Sequence, residues 1–181
     1  MTIALDTLFT GQLIRLSAYG TAVKEAQARW SEDAEYQRLL ASDVAAPRPP
    51  AFFDEEDEDE NYAFAIRTLD DDKLIGECNL WPMWNHQNAW LAIGIGEPDY
   101  RGKGYGTDAM RVLIGYGFRE LGLYRITLSV FSYNTRAIRS YEKVGFVREQ
   151  VQRAALFRDG ERYDMYIMGL LRPEWEAQQT S

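Results

Sequence analysis

Apolar and polar positions change period several times along the chain, and each change marks an element. Residues 12–16 alternate, as a short strand does. Residues 21–41 favour helix, in one piece or two, with Trp30, Tyr36, Leu39 and Leu40 as the buried positions. Pro47, Pro49 and Pro50 then stop regular structure, and residues 54–60 are wholly acidic. Residues 44–61 therefore read as a surface loop rather than a domain linker, because each side is too small to fold alone. Three strand-like runs follow at 62–68, 74–80 and 89–96, the first two joined by a turn at Asp70-Asp71-Asp72. The third run is apolar along its whole length, the pattern of a strand covered on both faces. Its glycines fit a bulge or the close approach of something to the backbone.

Residues 103–121 place Met110, Leu113, Ile114, Gly117 and Leu121 on one helical face, with Gly122 at the C-terminal stop. Residues 125–131 alternate as a strand. Residues 134–144 read as a second helix, capped by Asn134 and ended by Gly145. Two further strands, 147–157 and 162–171, flank Asp159-Gly160, a strong hairpin signal. Trp175 and the residues after it read as a tail. The order predicts a single α/β (α+β) domain over residues 1–181, with a mixed, mostly antiparallel sheet of about seven strands and flanking helices.

Composition narrows the function. The chain has 181 residues, 46% of them hydrophobic, which suits one packed domain. Its net charge of −8 and pI near 4.8 repel phosphate backbones and anionic lipid, so nucleic acid and membrane are poor partners and a cationic substrate a better one. Cys78 and His86 are the only residues of their kinds. That excludes an intrachain disulfide and a Cys/His zinc site, and a hydrolase built on His86 would lack its nucleophile elbow. Cys78 reads as a buried thiol rather than a nucleophile. With neither a secretory pattern nor an apolar run long enough to span a bilayer, the expected location is cytoplasmic.

Residues 100–107, YRGKGYGT, join an apolar strand to a helix. Gly102, Gly104 and Gly106 leave the backbone unobstructed, so successive N–H groups can point at one anion, aided by the positive end of the helix dipole. Chemically this is a pyrophosphate cradle, to which Arg101 and Lys103 can add charge. The spacing fits neither the dinucleotide-binding fingerprint nor the P-loop, which argues against a nucleotide-dependent oxidoreductase.

With that loop the sequence resembles the GNAT superfamily of acetyl-CoA-dependent N-acetyltransferases, whose R/Q-x-x-G-x-G/A motif is met by the run from Arg101 to Gly106. A second block, from Asn134 through Ala137, Tyr141 and Lys143 to Gly145-Phe146, resembles the N-x-x-A-x-x-x-Y-x-K-x-G-F pattern of the branch holding the ribosomal-protein-alanine and spermidine acetyltransferases. The resemblance covers roughly residues 62–171, the expected acetyl-CoA-binding core. It implies that the backbone at Gly94, Ile95 and Gly96 binds the pantetheine arm as an added strand. It further implies that the amides of Arg101, Gly102, Lys103, Gly104, Tyr105, Gly106 and Thr107 hold the pyrophosphate. Asn134 would contact the cofactor near the thioester and Tyr141 would stand near the sulfur, with Ala137 and Lys143 of the same block also at the cofactor. Acetyl-CoA is then the co-substrate, with no metal, and a small-molecule or peptide amine is the acceptor. Dimers are common in that branch, so the resemblance also admits a homodimer.

The chemistry assigns roles. An ammonium of pKa ~10 must lose a proton before it attacks the thioester. A main-chain N–H near Ile95 suits the oxyanion, and Tyr141 suits the general acid for the departing thiolate in a ternary complex. Asn134, Ile138 and Tyr141 share one helical face. The general base stays open. Many members of the branch carry a glutamate where this chain has Leu91, leaving Glu77, His86 or a water chain. Glu77 alternates with Cys78 and so reads as solvent-facing, and a lone histidine such as His86 usually lies at the surface. Glu77, Trp81, Trp84 and His86 are the candidates for the acceptor site, although the aromatics at 81–84 equally fit hairpin packing or a dimer contact. The acidic run at 54–60 fits a solvated face or a polyamine contact. A non-catalytic acyl-CoA-binding or sensor module is the alternative reading.

Overall fold

The computed structural model describes residues 8–40, 45–53 and 61–180, so the acidic run at 54–60 lies outside the described residues. Seven strands form one sheet: β1 (Ile14–Ala18), β2 (Tyr62–Thr68), β3 (Leu74–Met83), β4 (Asn88–Ile95), β5 (Arg125–Phe131), β6 (Val147–Arg158) and β7 (Glu161–Leu171), in the order β1-β2-β3-β4-β5-β7-β6. The helices are α1 (Thr21–Trp30), α2 (Ala34–Leu39), α3 (Tyr105–Arg119), α4 (Thr135–Val144) and α5 (Arg172–Gln179). All neighbouring strands are antiparallel except β4 and β5. Those two are joined through α3, because parallel strands need a crossover. Their pairing is short: only Asn88, Ala89 and Trp90 meet Arg125, Ile126 and Thr127. Beyond Trp90 the strands part, and among the described residues β4 from Leu91 onward has no strand beside it on that edge.

Alternation along β3 and β4 builds two layers. One face packs on α3, where Leu80 and Ile126 reach Gly117 and Ile95 reaches Gly106. Cys78, Leu80, Leu91, Met110, Leu113, Ile114 and Phe118 are all buried in this core. The opposite face carries α1 and α2. Trp30 lies over Gly96 so closely that a Cβ there would sit 2.0 Å from its ring, and Tyr36 lies over Gly94 in the same way at 2.7 Å. The apolar third strand is thus covered on both faces at its C-terminal end, while Trp90 near its start is exposed.

Several boundaries differ from the expected ones, each for a local reason. The described part of the expected segment, residues 21–40, holds two helices, because Asp33 caps α2 by accepting from the Glu35 and Tyr36 amides at 2.9 and 3.3 Å. The first strand begins two residues late and runs to Ala18. β3 continues to Met83 through Pro82, which faces Ala89 of β4. Among the described residues β2 pairs with β3 no further than Tyr62–Leu80, so Pro82 lies beyond that described pairing, where a proline is tolerated. Trp175 is not part of a tail. It is buried in α5, with its ring 5.3 Å from that of Phe118 and under the Arg119 guanidinium at 5.0 Å. One tryptophan in an eight-residue polar helix is too little pattern to announce burial. Among the described residues no helix is long and apolar enough to cross a membrane.

Candidate active site

Where β4 and β5 part, a cavity of about 510 Å³ opens between α2, the start of α3, and α4. Gly94 and Ile95 of β4 form one side. Gly102, Gly104, Gly106 and Thr107 form another. Gly102 and Gly104 hold φ of 74° and 94°, a region that disfavours side chains. The first backbone bond of α3 runs from the Asp108 amide to the Gly104 carbonyl at 2.9 Å. The amides from Gly102 to Thr107 therefore precede the helical ladder, at the positive end of a 15-residue helix.

Arg101 does not supply the cradle with free charge, contrary to expectation. Its side chain is 6% exposed and pairs with Asp33 at 2.7 Å and Glu35 at 3.5 Å. It also donates to the Ile95 carbonyl at 3.0 Å and the Gly96 carbonyl at 2.6 Å, while its own amide is held by Pro98. The residue locks the glycine loop to the end of β4 and the cap of α2. Partial desolvation pushes the Asp33 carboxyl up, but hydrogen bonds from Arg101 and two amides win and hold it below the usual carboxylate range. Gly96 is roofed by Trp30, and Gly96, Lys103 and Tyr105 stand outside the cavity lining, with Tyr105 edge-on to Tyr100 at 5.1 Å.

The α4 wall brings Asn134, Ala137, Tyr141 and Lys143 to the cavity. Asn134 is held by the fold: Oδ1 caps the Ala137 amide at 3.2 Å, and Nδ2 donates to the Leu39 carbonyl at 3.3 Å, which leaves its second Nδ2 hydrogen free of these two bonds. Ser140 and Thr107 hydroxyls meet at 2.6 Å and tie α4 to α3. Tyr141 lines the cavity and leans on Phe146. Burial pushes its phenol up to about 12. Arg136 and Arg139 also line the cavity and are exposed; with Lys143 they offer the free charge that Arg101 does not. Three cations at positions 136, 139 and 143 follow helical spacing, a signal the sequence already carried.

The roof is α2, through Tyr36, Leu39 and Leu40. Its C-terminal end is strapped across the gap. The Tyr133 hydroxyl and Arg158 both donate to the Arg38 carbonyl, and Arg38 pairs with Asp159 of the β6–β7 turn at 2.9 Å. The Tyr36 hydroxyl is buried with no hydrogen-bond partner among the described residues.

The residues weighed for the acceptor site separate. Glu77 is buried at 9% exposure, not solvent-facing, because α1 covers its face of the sheet. Burial pushes its carboxyl up, partly offset by hydrogen bonds from Gln27 and Tyr19. Trp81, Trp84 and His86 stand at the far end of the β3–β4 hairpin, outside the cavity lining; Trp84 and His86 are exposed and Trp81 half-buried. Leu91 lies in the α3 core, and burial pushes the Cys78 thiol up, as befits an inert group.

The family profile described as the acetyltransferase (GNAT) domain matches residues 15–147. This chain belongs to the GNAT acetyltransferase family. As a GNAT member it is an acyltransferase, and its seven-stranded sheet with flanking helices is the GNAT fold. Among GNAT relatives, the protein of Bacillus subtilis named probable N-acetyltransferase YjcK is 34% identical over 122 residues, 66% of this chain and 67% of that one. The spermidine N(1)-acetyltransferase of Escherichia coli K12 is 33% identical over 93 residues, 51% of this chain and 50% of that enzyme. The GNAT fold itself recurs in the spermidine N-acetyltransferase of Vibrio cholerae solved with CoA and spermine. The TM-score is 0.78 at 21% identity, over 90% of this chain and 98% of that one.

Proposed function

We propose that this chain moves an acetyl group from acetyl-CoA to a primary amine by direct attack in a ternary complex, with Tyr141 protonating the departing thiolate. One observation carries the reading. A single cavity is lined by the glycine loop that opens α3, by β4 where its pairing with β5 has ended, and by Tyr141. An extended pantetheine arm fits the open edge as a strand would. Its diphosphate fits the amides from Gly102 to Thr107, with Arg136, Arg139 and Lys143 alongside. A neutral amine attacks the thioester carbon, and a main-chain N–H of β4 near Ile95 stabilises the oxyanion. Tyr141 keeps its proton across the neutral range because burial disfavours the phenolate. The same enclosure raises the developing thiolate, so donor and acceptor stay matched. The acidic chain and the spermidine acetyltransferases among its relatives favour a cationic acceptor such as a polyamine.

The test is thiol release from acetyl-CoA against a panel of spermidine, a peptide N-terminus, an aminoglycoside and small amines. Tyr141→Phe should bind acetyl-CoA as the unaltered chain does and lose ~10²–10⁴-fold in turnover of the best amine. Equal turnover removes Tyr141 from the mechanism. No release with any amine would favour the acyl-CoA-binding module, the reading that Leu91 in place of a glutamate keeps in play.

A further inference from the structure

The cavity changes character along its length. Beside the glycine loop it is cationic: Arg136 Cδ lies 3.9 Å from where a Cβ on Gly102 would sit, and Arg139 and Lys143 line the same α4 wall. Under the α2 roof it is apolar, lined by Tyr36, Leu39 and Leu40 over Gly94 of β4. The cations of that region are committed to the fold. Arg38 pairs with Asp159 at 2.9 Å, Arg158 donates to the Arg38 carbonyl, and Arg101 is held by Asp33 and two β4 carbonyls. The sequence that follows the roof, Ala41-Ser42-Asp43-Val44, adds no Lys, Arg or His.

Contacts hold this roof across the gap between β4 and β5. On the β4 side, Leu40 Cδ2 and the Tyr36 hydroxyl stand 2.8 and 2.7 Å from where a Cβ on Gly94 would sit, so α2 rests on bare backbone. On the β5 side, Asn134 Nδ2 donates to the Leu39 carbonyl at 3.3 Å, and the Tyr133 hydroxyl donates to the Arg38 carbonyl. The roof is thus pinned through its own main chain at Arg38 and Leu39. It gives little way to a group pushed against it, because close-packed side chains yield only at a cost.

Resting on the acetyl-transfer reading above, we infer that the roof, through Leu39 and Leu40, selects the acyl group of the donor, taking acetyl and turning away longer or carboxyl-bearing acyl groups. With the thioester oxygen at the main-chain N–H near Ile95, the carbonyl carbon stands beside Gly94, which Leu40 covers. An acyl methyl there lies under Leu39 and Leu40. Each further methylene has to displace a side chain that already touches the β4 backbone, and one methylene in an apolar pocket is worth ~10–200-fold in kcat/KM. A succinyl carboxylate would be stripped of water with no uncommitted cation of the roof to receive it.

Leu39→Ala and Leu40→Ala test the selection, with acetyl-, propionyl-, butyryl- and succinyl-CoA as donors and the best amine of the panel as acceptor. Leu40 is 36% exposed, so its truncation leaves the core intact and keeps the test open if Leu39→Ala folds poorly. The unaltered chain should favour acetyl-CoA over propionyl-CoA by ~10-fold or more in kcat/KM and leave succinyl-CoA unused. Leu40→Ala should raise the propionyl-to-acetyl ratio by ~10-fold, Leu39→Ala should raise it too, and the volume-conserving Leu40→Ile should not. A merely structural defect lowers kcat/KM for every donor alike and leaves that ratio where it was. A ratio unmoved in both alanine variants, a change in the amine's KM alone, or equal use of butyryl- or succinyl-CoA by the unaltered chain overturns the inference while leaving acetyl transfer standing. If no donor releases thiol with any amine, both readings fall together.

Discussion

Glu77 weakens the fold it sits in. Burial raises its carboxyl above the ordinary value, so the unfolded chain holds that proton less tightly than the folded one. The group's contribution is therefore full below the unfolded carboxylate pKa of ~4.3, and it is lost as pH rises through the raised folded value. Glu77→Gln should raise Tm at about pH 8, and thermal melts should show the gain shrinking toward about pH 4. The residue was a candidate from the sequence, but its burial could not be read there. Alternation separates Glu77 from Cys78, but it does not say that a helix covers the second face as well. Tyr141, Gly104 and Gly106 were legible, because their motifs fix both residue and position, while Gly102 stands at an open position of the loop motif. Arg101 was legible as a motif residue but not as a strut, since its partners Asp33 and Glu35 lie on a distant helix.

That strut governs how the elements meet. Arg101 serves two carbonyls at the end of β4 and two carboxylates at the head of α2 from a nearly buried position. Arg101→Ala strands Asp33 and frees both elements, and should cost about 3 kcal/mol in urea denaturation. Arg101→Lys should recover little of it, because one ammonium cannot span four acceptors in a plane. Acetyl-CoA affinity should fall in both variants with an unchanged salt dependence, since the lost guanidinium faces the fold rather than the phosphates. Most elements followed from periodicity and caps. The break between α1 and α2 was foreseen as an option and is decided by Asp33, whose carboxylate takes the α2 amides and Arg101 together. The extension of β3 through Pro82 was hidden, because whether a strand tolerates a proline depends on its pairing, at an edge, a strand start or a bulge, and not on the proline itself.

At the scale of the molecule, the C-terminal helix closes the α3 side of the core. Trp175 packs on Phe118, itself completely buried. Trp175→Ala should cost ~3–5 kcal/mol in equilibrium unfolding, far more than removal of a tail residue would. The central architecture was legible because strands and helices alternate with clear stops. The separation of β4 from β5 was not, because it depends on how three residue pairs end rather than on which residues they are. That separation leaves main-chain donors and acceptors facing inward, under a roof and between two helix ends. An outer edge of this kind invites any passing strand. Here a folded neighbour is too thick to enter, and an apolar tail would leave the amides thirsty. Only a slim guest with its own peptide-like groups can complete the ribbon, so the gap sorts visitors by girth and polarity before any side chain is consulted.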